Sequence, residues 1–269
     1  MIGPFLLAII AVFSAILPAA AADRPAEIEI AGSDLRIHTG DGQTIRGDAL
    51  AGTVMAMLLD GRKLLNLRID AVAKDRRAAS DDVMLYDLSL QDAQGAWQPA
   101  CKPDPFGEHY AILQPGESGA LSVWCTYATN AKCVRAGYRP WATGPNGEPL
   151  RPYHIACSKM LRADYCGNDQ ATTRDGMKIE LYDSLGIQKG PLENPELVFE
   201  AAWNEEGAIC VAHPRVPQNI SLERLAETCP RLKGRLGPIC TEESAASFAK
   251  PLLFIGSRGD GITEAERGK

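Results

Sequence analysis

The segment RPYHIACSKMLRADYCG, residues 151–167, predicts the helix around which the second half of the chain is built. Pro152 stands where a first helical turn tolerates proline, and Gly167 stands where a helix can stop. The residues that recur at a spacing of three to four, and therefore share one face, are Tyr153, Ala156, Cys157, Met160, Leu161 and Asp164. Most of that face is apolar, as is typical of a helix packed on a core.

Two cysteines, Cys157 and Cys166, stand near the middle and the end of this segment. If the helix continues to Cys166, the two residues are separated by a rise of about 13 Å. A disulfide requires Cα atoms about 4.4–6.8 Å apart. We therefore predict that Cys157 and Cys166 bond to different partners and attach both ends of the helix to the rest of the fold.

All the cysteines of the chain fall in its middle and C-terminal parts, and their number is even. They are Cys101, Cys125, Cys133, Cys157, Cys166, Cys210, Cys229 and Cys240. The spacings typical of metal ligands, such as Cys-x-x-Cys, are absent from the sequence, so we predict disulfides and no metal site. Cys229 and Cys240 bracket a short loop and are one candidate pair, and Cys101 with Cys125 is the next.

The start of the chain resembles a secretory signal. Residues 2–17, IGPFLLAIIAVFSAIL, form an apolar run that is short for a membrane span, and PAAAAD follows. We predict a signal peptide at residues 1–22, cleaved near Ala22, although no Lys or Arg precedes the apolar run. The alternative is a buried N-terminal helix. The sequence has no second long apolar segment, so we expect an exported protein, periplasmic or extracellular, without a membrane span in the mature chain.

The charge of the chain excludes one class of partner. The formal net charge is −6, and the Lys and Arg residues are scattered along the sequence. A nucleic-acid-binding protein needs a concentrated basic patch, so we expect no nucleic-acid partner.

The segments before residue 95 alternate between apolar and polar residues. They are AEIEIA, DLRIHT, LLNLRIDA and DDVMLYDLSLQ, separated by turn sequences such as TGDGQ and DAQGA. A period of two predicts half-buried strands, here in an antiparallel sandwich or barrel. The residues expected on the buried face are Leu65, Leu67, Ile69, Met84, Tyr86, Leu88 and Leu90.

The second half mixes strands and helices. MKIELYD alternates, and LVFEAAW with AICVAH predicts a hairpin through NEEG. NAKCVRAG fits a short helix capped by Asn130, and SLERLAETCP fits one capped by Ser221 and stopped by Pro230. We therefore predict an α+β fold with a β-rich N-terminal part followed by a disulfide-rich mixed part.

Three groups of residues are candidates for chemistry. His154 and Cys157 are neighbours on one helix and could form a nucleophile–base pair, unless Cys157 is oxidised. A second group of oxygen ligands, Asp164, Asn168, Asp169 and Asp175, does not match the spacing of a calcium loop and also fits a polar turn. The third group, Tyr138, Arg139 and Trp141, could stack on a sugar or a peptide, or could pack over a turn.

Three longer stretches point to a family. KCVRAGYRPW, HIACSKMLRADYCGNDQATTRDGMKIELYDSLGI and FEAAWNEEGAICVAHPR, within residues 97–230, resemble the bacterial ADYC-domain proteins. The domain takes its name from the tetrapeptide that here is Ala163, Asp164, Tyr165 and Cys166. The resemblance implies an exported bacterial protein and brings no reaction, so no catalytic residue is transferred.

These observations divide the chain into four parts: a signal peptide at 1–22, a β-rich region at 23–95, an ADYC-type cysteine-rich domain at 96–256 and a polar tail at 257–269. We expect a disulfide-stabilised binding or cell-envelope-associated module, without a cofactor, whose partner is an envelope protein or a glycan. The expected ligand surface consists of Tyr138, Arg139, Trp141 and His154. The alternatives are a secreted hydrolase with a site centred on His154, and a purely structural envelope protein without a small ligand.

The tetrapeptide itself we interpret as structural. Asp164 lies near the C-terminus of the predicted helix, where an acid opposes the helix macrodipole at a cost of about 0.3–1 kcal/mol. Arg162, Arg174 or backbone N–H groups of the following turn should therefore compensate its charge. The alternative is that Asp164 acts on a ligand.

Overall fold

The computed structural model describes residues 27–59, 63–116 and 121–267, so the predicted signal peptide and its cleavage site lie outside the described residues. The first sheet is small and antiparallel, with strands β1 (Glu27–Ala31), β2 (Asp34–His38) and β3 (Thr44–Arg46) in that order. Leu35 and Ile37 of β2 are buried, whereas Ile28 of β1 is 50% exposed. The alternation in DLRIHT therefore predicts the buried face of β2 correctly.

The second sheet contains the two longest alternating segments. Its strands are β4 (Val54–Leu59), β5 (Lys63–Lys74), β6 (Met84–Gln91), β7 (Trp97–Pro99), β8 (Tyr110–Pro115) and β9 (Leu121–Cys125). They are antiparallel in the order β4-β5-β6-β8-β9, and β7 also pairs with β6. The alternation before residue 95 predicts β5 and β6 of this sheet, which then continues through β7, β8 and β9 to Cys125, beyond the predicted β-rich region.

The predicted buried face of this sheet is correct at its centre and only partly correct at its ends. Leu67, Ile69, Tyr86 and Leu88 are buried in one apolar cluster. The predicted core residues Leu65, Met84 and Leu90 are only half-buried. Leu65 and Leu90 lie toward one end of the β5–β6 pair and Met84 at the other, beyond a register shift between Ile69 and Ala71. Strand ends have fewer neighbours to cover them, which a period of two does not reveal.

One tyrosine joins the two sheets. The hydroxyl of Tyr86 donates to the carbonyl of Ser33 at 3.0 Å and accepts from the N–H of Leu35 at 2.8 Å. Burial raises the pKa of Tyr86 to about 12, so the hydroxyl remains a donor throughout the physiological range. The chain turn before β2 is thereby fixed to the face of β6.

The helices are short. They are α1 (Thr129–Arg135), α2 (Arg151–Arg162), α3 (Leu222–Thr228), α4 (Glu242–Phe248) and α5 (Glu264–Arg267). The side chain of Ser221 caps α3 as predicted. The predicted cap of α1 is wrong, because Ala128 is the cap residue and Asn130 instead accepts a hydrogen bond from Ser158. Among the described residues, no helix has both the length and the hydropathy needed to cross a membrane.

The third sheet belongs to the second half of the chain. It contains β10 (Ile179–Asp183), β11 (Val198–Asn204), β12 (Gly207–Val211) and β13 (Leu253–Ser257). The order is β10-β13-β11-β12, with all pairs antiparallel. The predicted hairpin of β11 and β12 is present, and α2 packs against it. The fold is therefore α+β, with a β-rich first part and a mixed second part.

All eight cysteines form disulfides, and none is free. The predicted pair Cys101–Cys125 is confirmed, with Cα atoms 5.5 Å apart. Cys157 bonds to Cys133 and Cys166 to Cys229, which confirms that they have different partners. The predicted pair Cys229–Cys240 is wrong, because Cys240 bonds to Cys210. Cys240 follows a 3₁₀ turn that directs it to β12, and Cys229 ends α3 beside the ADYC segment.

Helix α2 ends one turn earlier than its sequence indicates. Its last residue is Arg162, and Ala163 adopts a left-handed conformation with φ of 49°. The N–H groups of Ala163 and Asp164 donate to the carbonyls of Met160 and Lys159 at 3.0 and 2.9 Å. This Schellman pattern satisfies two of the last carbonyls of the helix. A left-handed residue is usually glycine, so the sequence pointed to Gly167 rather than to Ala163.

Candidate functional site

The ADYC tetrapeptide leaves the end of α2 and enters the core. Asp164 is completely buried, and its carboxylate accepts the backbone N–H groups of Asn168 and Asp169 at 3.1 and 2.9 Å. These two bonds are the compensation expected from the following turn. Of the other two predicted partners, Arg162 pairs with Asp169 and Arg174 with Glu266.

Tyr165 belongs to a buried polar network that sequence analysis did not predict. Its hydroxyl donates to Glu200 at 2.9 Å and accepts the N–H of Arg215 at 2.8 Å. The guanidinium of Arg215 binds both carboxylate oxygens of Glu200 at 3.0 Å and also donates to the carbonyls of Met160 and Leu161. Glu200 is 0% and Arg215 1% exposed. Burial raises the pKa of Tyr165 well above its usual value.

The network connects the end of α2 to β11 and to the chain after β12. A paired and fully hydrogen-bonded buried charge of this kind orients the elements that it joins. The only sequence signal for it was the acid Glu200 within the otherwise apolar strand FEAAW. Cys166 adds a covalent connection at the same place, through Cys229 at the end of α3. The tetrapeptide is thus buried and joins α2 to the third sheet.

The predicted pair of His154 and Cys157 does not form a nucleophile and base. Cys157 is in a disulfide with Cys133 and has no thiol. His154 lies against Trp124 with ring centroids 4.9 Å apart and an interplanar angle of 14°. Its Nε2 is 3.1 Å from the carbonyl of Asn130. Burial lowers the pKa of His154 to about 4, so the ring is neutral at pH 7 and donates to that carbonyl.

A hydroxyl to be considered as a nucleophile is that of Ser158, which lies one turn after His154 on α2 and lines the same cleft. It donates to the side-chain oxygen of Asn130 at 2.8 Å. Thus His154 and Ser158 each bond to Asn130, and the described residues contain no hydrogen bond between the two.

The predicted surface residues Tyr138, Arg139 and Trp141 separate into two locations. Tyr138 is completely buried and donates to Asp183 at 2.7 Å. Arg139 pairs with Asp82 at the surface. Trp141 is half-buried and, like His154, lines a cleft between α2 and the second sheet. The indole N–H of Trp141 is also 3.5 Å from the carboxylate of Asp82 that pairs with Arg139. The structure therefore brings Trp141 and His154 into one cleft, with Arg139 beside Trp141 outside it and Tyr138 apart from both.

This cleft, which we call the α2 cleft, has a volume of about 700 Å³. One wall is the outer face of α2, where residues 151, 154, 155, 158, 159 and 162 fall on the same side of the helix. The other wall is formed by the ends of β8 and β9 and the loop after α1, with Gln114, Trp124, Pro140 and Trp141. The cleft therefore lies between the β-rich part and the mixed part of the molecule.

The charges of the α2 cleft are mainly positive. Its cations are Arg151, Lys159 and Arg162, and its only acid among the described residues is Asp169. Arg162 pairs with Asp169 at 3.2 Å. The ammonium group of Lys159 donates to the backbone carbonyl of Glu205 at 2.8 Å, and it has no carboxylate partner among the residues that the structure describes. Arg151 is exposed and has no ion pair with any described residue.

The helical spacing of these three cations is a signal that is visible in the sequence. Arg151, Lys159 and Arg162 are separated by eight and then three positions, which places them on the polar face of the predicted helix. Trp124 lies in a predicted strand, and only the tertiary structure brings it to the same cleft.

The described residues contain no group of three or more His, Cys, Asp or Glu side chains arranged to hold a metal ion. Among the calcium candidates, Asp164 is bonded to backbone N–H groups and Asp169 to Arg162. The carboxylates of Asp164 and Asp169 are therefore directed toward protein donors rather than toward a shared cation position.

Comparison with known proteins places the molecule in a family. A family model of the ADYC domain matches residues 47–217. The match includes the second sheet, the α2 cleft and the Tyr165 network. It begins within residues 23–95, which we predicted as a separate β-rich region, so the boundary between residues 95 and 96 stays a prediction. Searches of curated proteins and of solved structures gave no match. Since the family model covers more than half of the chain, this protein belongs to the ADYC-domain family.

Proposed function

We propose that the protein is an exported binding module that takes an acidic saccharide in the α2 cleft. The observation that carries this proposal is the combination of indole rings and unneutralised cations in one cleft of about 700 Å³. Ligand sites are typically concave, lined by aromatic groups and provided with a few polar groups that fix orientation.

Export is supported by the cysteines. Every cysteine of the chain is in a disulfide, and disulfides persist in oxidising compartments. The apolar segment before Ala22 is consistent with secretion. A protein that works outside the cytosol meets glycans of the envelope or of its surroundings.

The saccharide part of the proposal is supported by the two tryptophans. Trp124 and Trp141 are half-buried, so part of each indole faces the cleft. The C–H face of a pyranose ring is apolar and flat, and it packs on an indole with the hydroxyls directed outward to polar groups.

The acidic part is supported by charge. The chain as a whole has a net charge of −6, yet the α2 cleft contains three cations and one acid. An anion is therefore attracted to this cleft more than to the rest of the surface. A partly desolvated cation forms its strongest hydrogen bonds with an ionised acceptor, so a carboxylate of the ligand is the partner that stabilises it most.

The proposal is tested with digalacturonic acid as the probe. In ¹H–¹⁵N spectra, titration should shift the indole N–H signals of Trp124 and Trp141 and leave those of Trp97 and Trp203 in place, because only the first two line the cleft. Arg151→Glu should weaken binding at least fivefold. Glutamate is favoured in the first turn of a helix, so this variant should fold.

A matched control is Arg46→Glu, which makes the same charge change at an exposed arginine outside the α2 cleft. Its affinity should equal that of the wild type. Absence of saturable binding of the probe to the wild type, or an equal loss in both variants, would refute the proposed ligand class.

A further inference from the structure

We propose that the α2 cleft is one half of a longer cationic track, and that the ligand is a linear acidic polysaccharide which continues past Arg162 into a second cleft. This inference rests on the proposed function and specifies its substrate class as a polymer rather than a free sugar acid.

The second cleft has a volume of about 440 Å³ and lies between α1, the end of α2 and the segment that leads to β10. Its floor is apolar, with Leu161, Met177 and Ile179. Its rim contains Lys132, Arg162 and Arg174, against a single acid, Asp175, among the described lining residues.

The two clefts are contiguous. Arg162 lines both of them. Beside it, Thr129 of the second cleft and Ser158 of the α2 cleft have their hydroxyl oxygens 3.4 Å apart. A chain that leaves one cleft therefore enters the other past the Arg162 guanidinium, which also pairs with Asp169, and past two hydroxyls. The Ser158 hydroxyl donates its hydrogen to Asn130, so its oxygen can only accept from a hydroxyl of the polymer.

Not every cation of the second cleft is available. All the N–H groups of Arg215 are used by Glu200, Met160, Leu161 and Thr173, so this residue supports the floor. Lys132 is exposed and makes no ion pair with any described residue, whereas Arg174 pairs with Glu266 at 3.1 Å. Lys132 is therefore the residue whose charge a ligand would neutralise first.

The track has a direction. On the opposite side of Trp141 lies a third cleft, of about 640 Å³, whose wall contains Asp34, Asp81 and Asp82 together with two cations. The acids of the third cleft offset its cations, and two of them are ion-paired, Asp82 with Arg139 and Asp34 with Arg36. An anionic chain is therefore attracted less there than on the Arg162 side. The polymer should therefore extend from Trp141 toward Lys132 and not toward Asp82.

The experiment compares digalacturonate with octagalacturonate by isothermal titration calorimetry. The wild type should bind the octamer at least tenfold more tightly, because the second cleft is engaged at a high effective concentration. Lys132→Glu should remove most of that gain and leave the affinity for the dimer unchanged. The control Lys74→Glu, at an exposed lysine of the third cleft, should keep the gain.

The outcomes separate the two proposals. If the dimer does not bind to the wild type, the proposed function fails. If the dimer binds but the octamer gains nothing, or gains equally in Lys132→Glu and the wild type, the track is refuted and the α2 cleft stands alone. Methyl-esterified octagalacturonate, which has the same rings without charge, should bind more weakly than the acid. Equal binding of poly-glutamate would overturn the saccharide as the ligand.

Discussion

The second sheet and the third sheet are both antiparallel, but they are stabilised in different ways. The second sheet surrounds an apolar cluster that includes Leu67, Ile69 and Leu88, and a single disulfide lies at its margin. The third sheet and its helices contain three disulfides. They also bury the ion pair of Glu200 and Arg215.

This difference reflects what each region must hold in place. The β-rich part has long strands whose neighbours are close in sequence, so local alternation and hairpins specify most of its contacts. In the mixed part, short elements far apart in sequence converge on the end of α2. These elements also share a large apolar cluster that includes Met160, Trp203 and Ile255. Directional polar bonds and covalent links add to this cluster and fix the relative positions of the elements, because apolar packing alone is compatible with several arrangements.

The largest effect should follow from breaking the buried ion pair. Arg215→Met leaves Glu200 charged and without its partner, and we expect a loss of about 3–5 kcal/mol in the free energy of unfolding. Urea denaturation at pH 7 measures it. The double variant Arg215→Met with Glu200→Gln should lose less than the single variant, since no buried charge remains. A loss below about 1 kcal/mol for the single variant would mean that the network does not stabilise the mixed part.

A cavity in the β-rich part should have a comparable but smaller effect. Leu67 is 1% exposed, so Leu67→Ala should cost about 2–4 kcal/mol. The control is Leu65→Ala, on the same strand but only half-buried, which should cost clearly less. If urea denaturation gives the same loss in the free energy of unfolding for both variants, the deeper burial of Leu67 does not add to its contribution to stability.

At the boundary of the two regions, His154 should make stability depend on pH. Its pKa is lowered by burial to about 4 in the folded chain, against about 6.5 when unfolded. Between pH 4 and pH 6.5 the imidazole of His154 is protonated in the unfolded chain but not in the folded chain. The free energy of unfolding is therefore highest above pH 6.5 and falls as the pH approaches 4. At pH 4 this difference in proton binding lowers the free energy of unfolding by about 3 kcal/mol.

The measurement compares the wild type with His154→Gln between pH 7 and pH 4. Other groups titrate in both proteins, so the difference between the two curves isolates His154. The wild type should lose about 3 kcal/mol more than the variant over this range. Parallel curves would contradict the burial of a neutral imidazole at the junction.

The smallest of these effects concerns the turn after α2. Asp164→Asn removes the charge that accepts two backbone N–H groups, and we expect a loss of about 2 kcal/mol, visible as a lower melting temperature. Asp169→Asn is the matched control, because its pair with Arg162 is exposed and should contribute less than about 1 kcal/mol. An Asp164→Asn protein with unchanged stability but weaker binding of the galacturonate probe would favour the ligand reading of this acid.

The sequence by itself determined the strongly alternating strands and the oxidised state of the cysteines, whereas short elements such as β7 and α4 were not predicted. Period-two alternation located β2, β5 and β6 because a strand turns successive side chains to opposite faces, whatever the partner strand is. The even cysteine count indicated disulfides. Cys157 and Cys166 do have different partners, as predicted, although the helix whose rise was used to separate them ends at Arg162 and does not reach Cys166. The family resemblance, from motifs within residues 97–230, was confirmed by a family-model match over residues 47–217, which begins closer to the N-terminus.

Only the tertiary structure decided which distant residues meet. Cys229 lies eleven positions from Cys240 in sequence, yet the end of α3 brings it to Cys166. Glu200 and Arg215 become partners because β11 and the chain after β12 pass the end of α2, and Trp124 reaches α2 because β9 does. These contacts depend on the three-dimensional packing of short elements, and no local period or propensity encodes the packing of elements that are separated by dozens of residues.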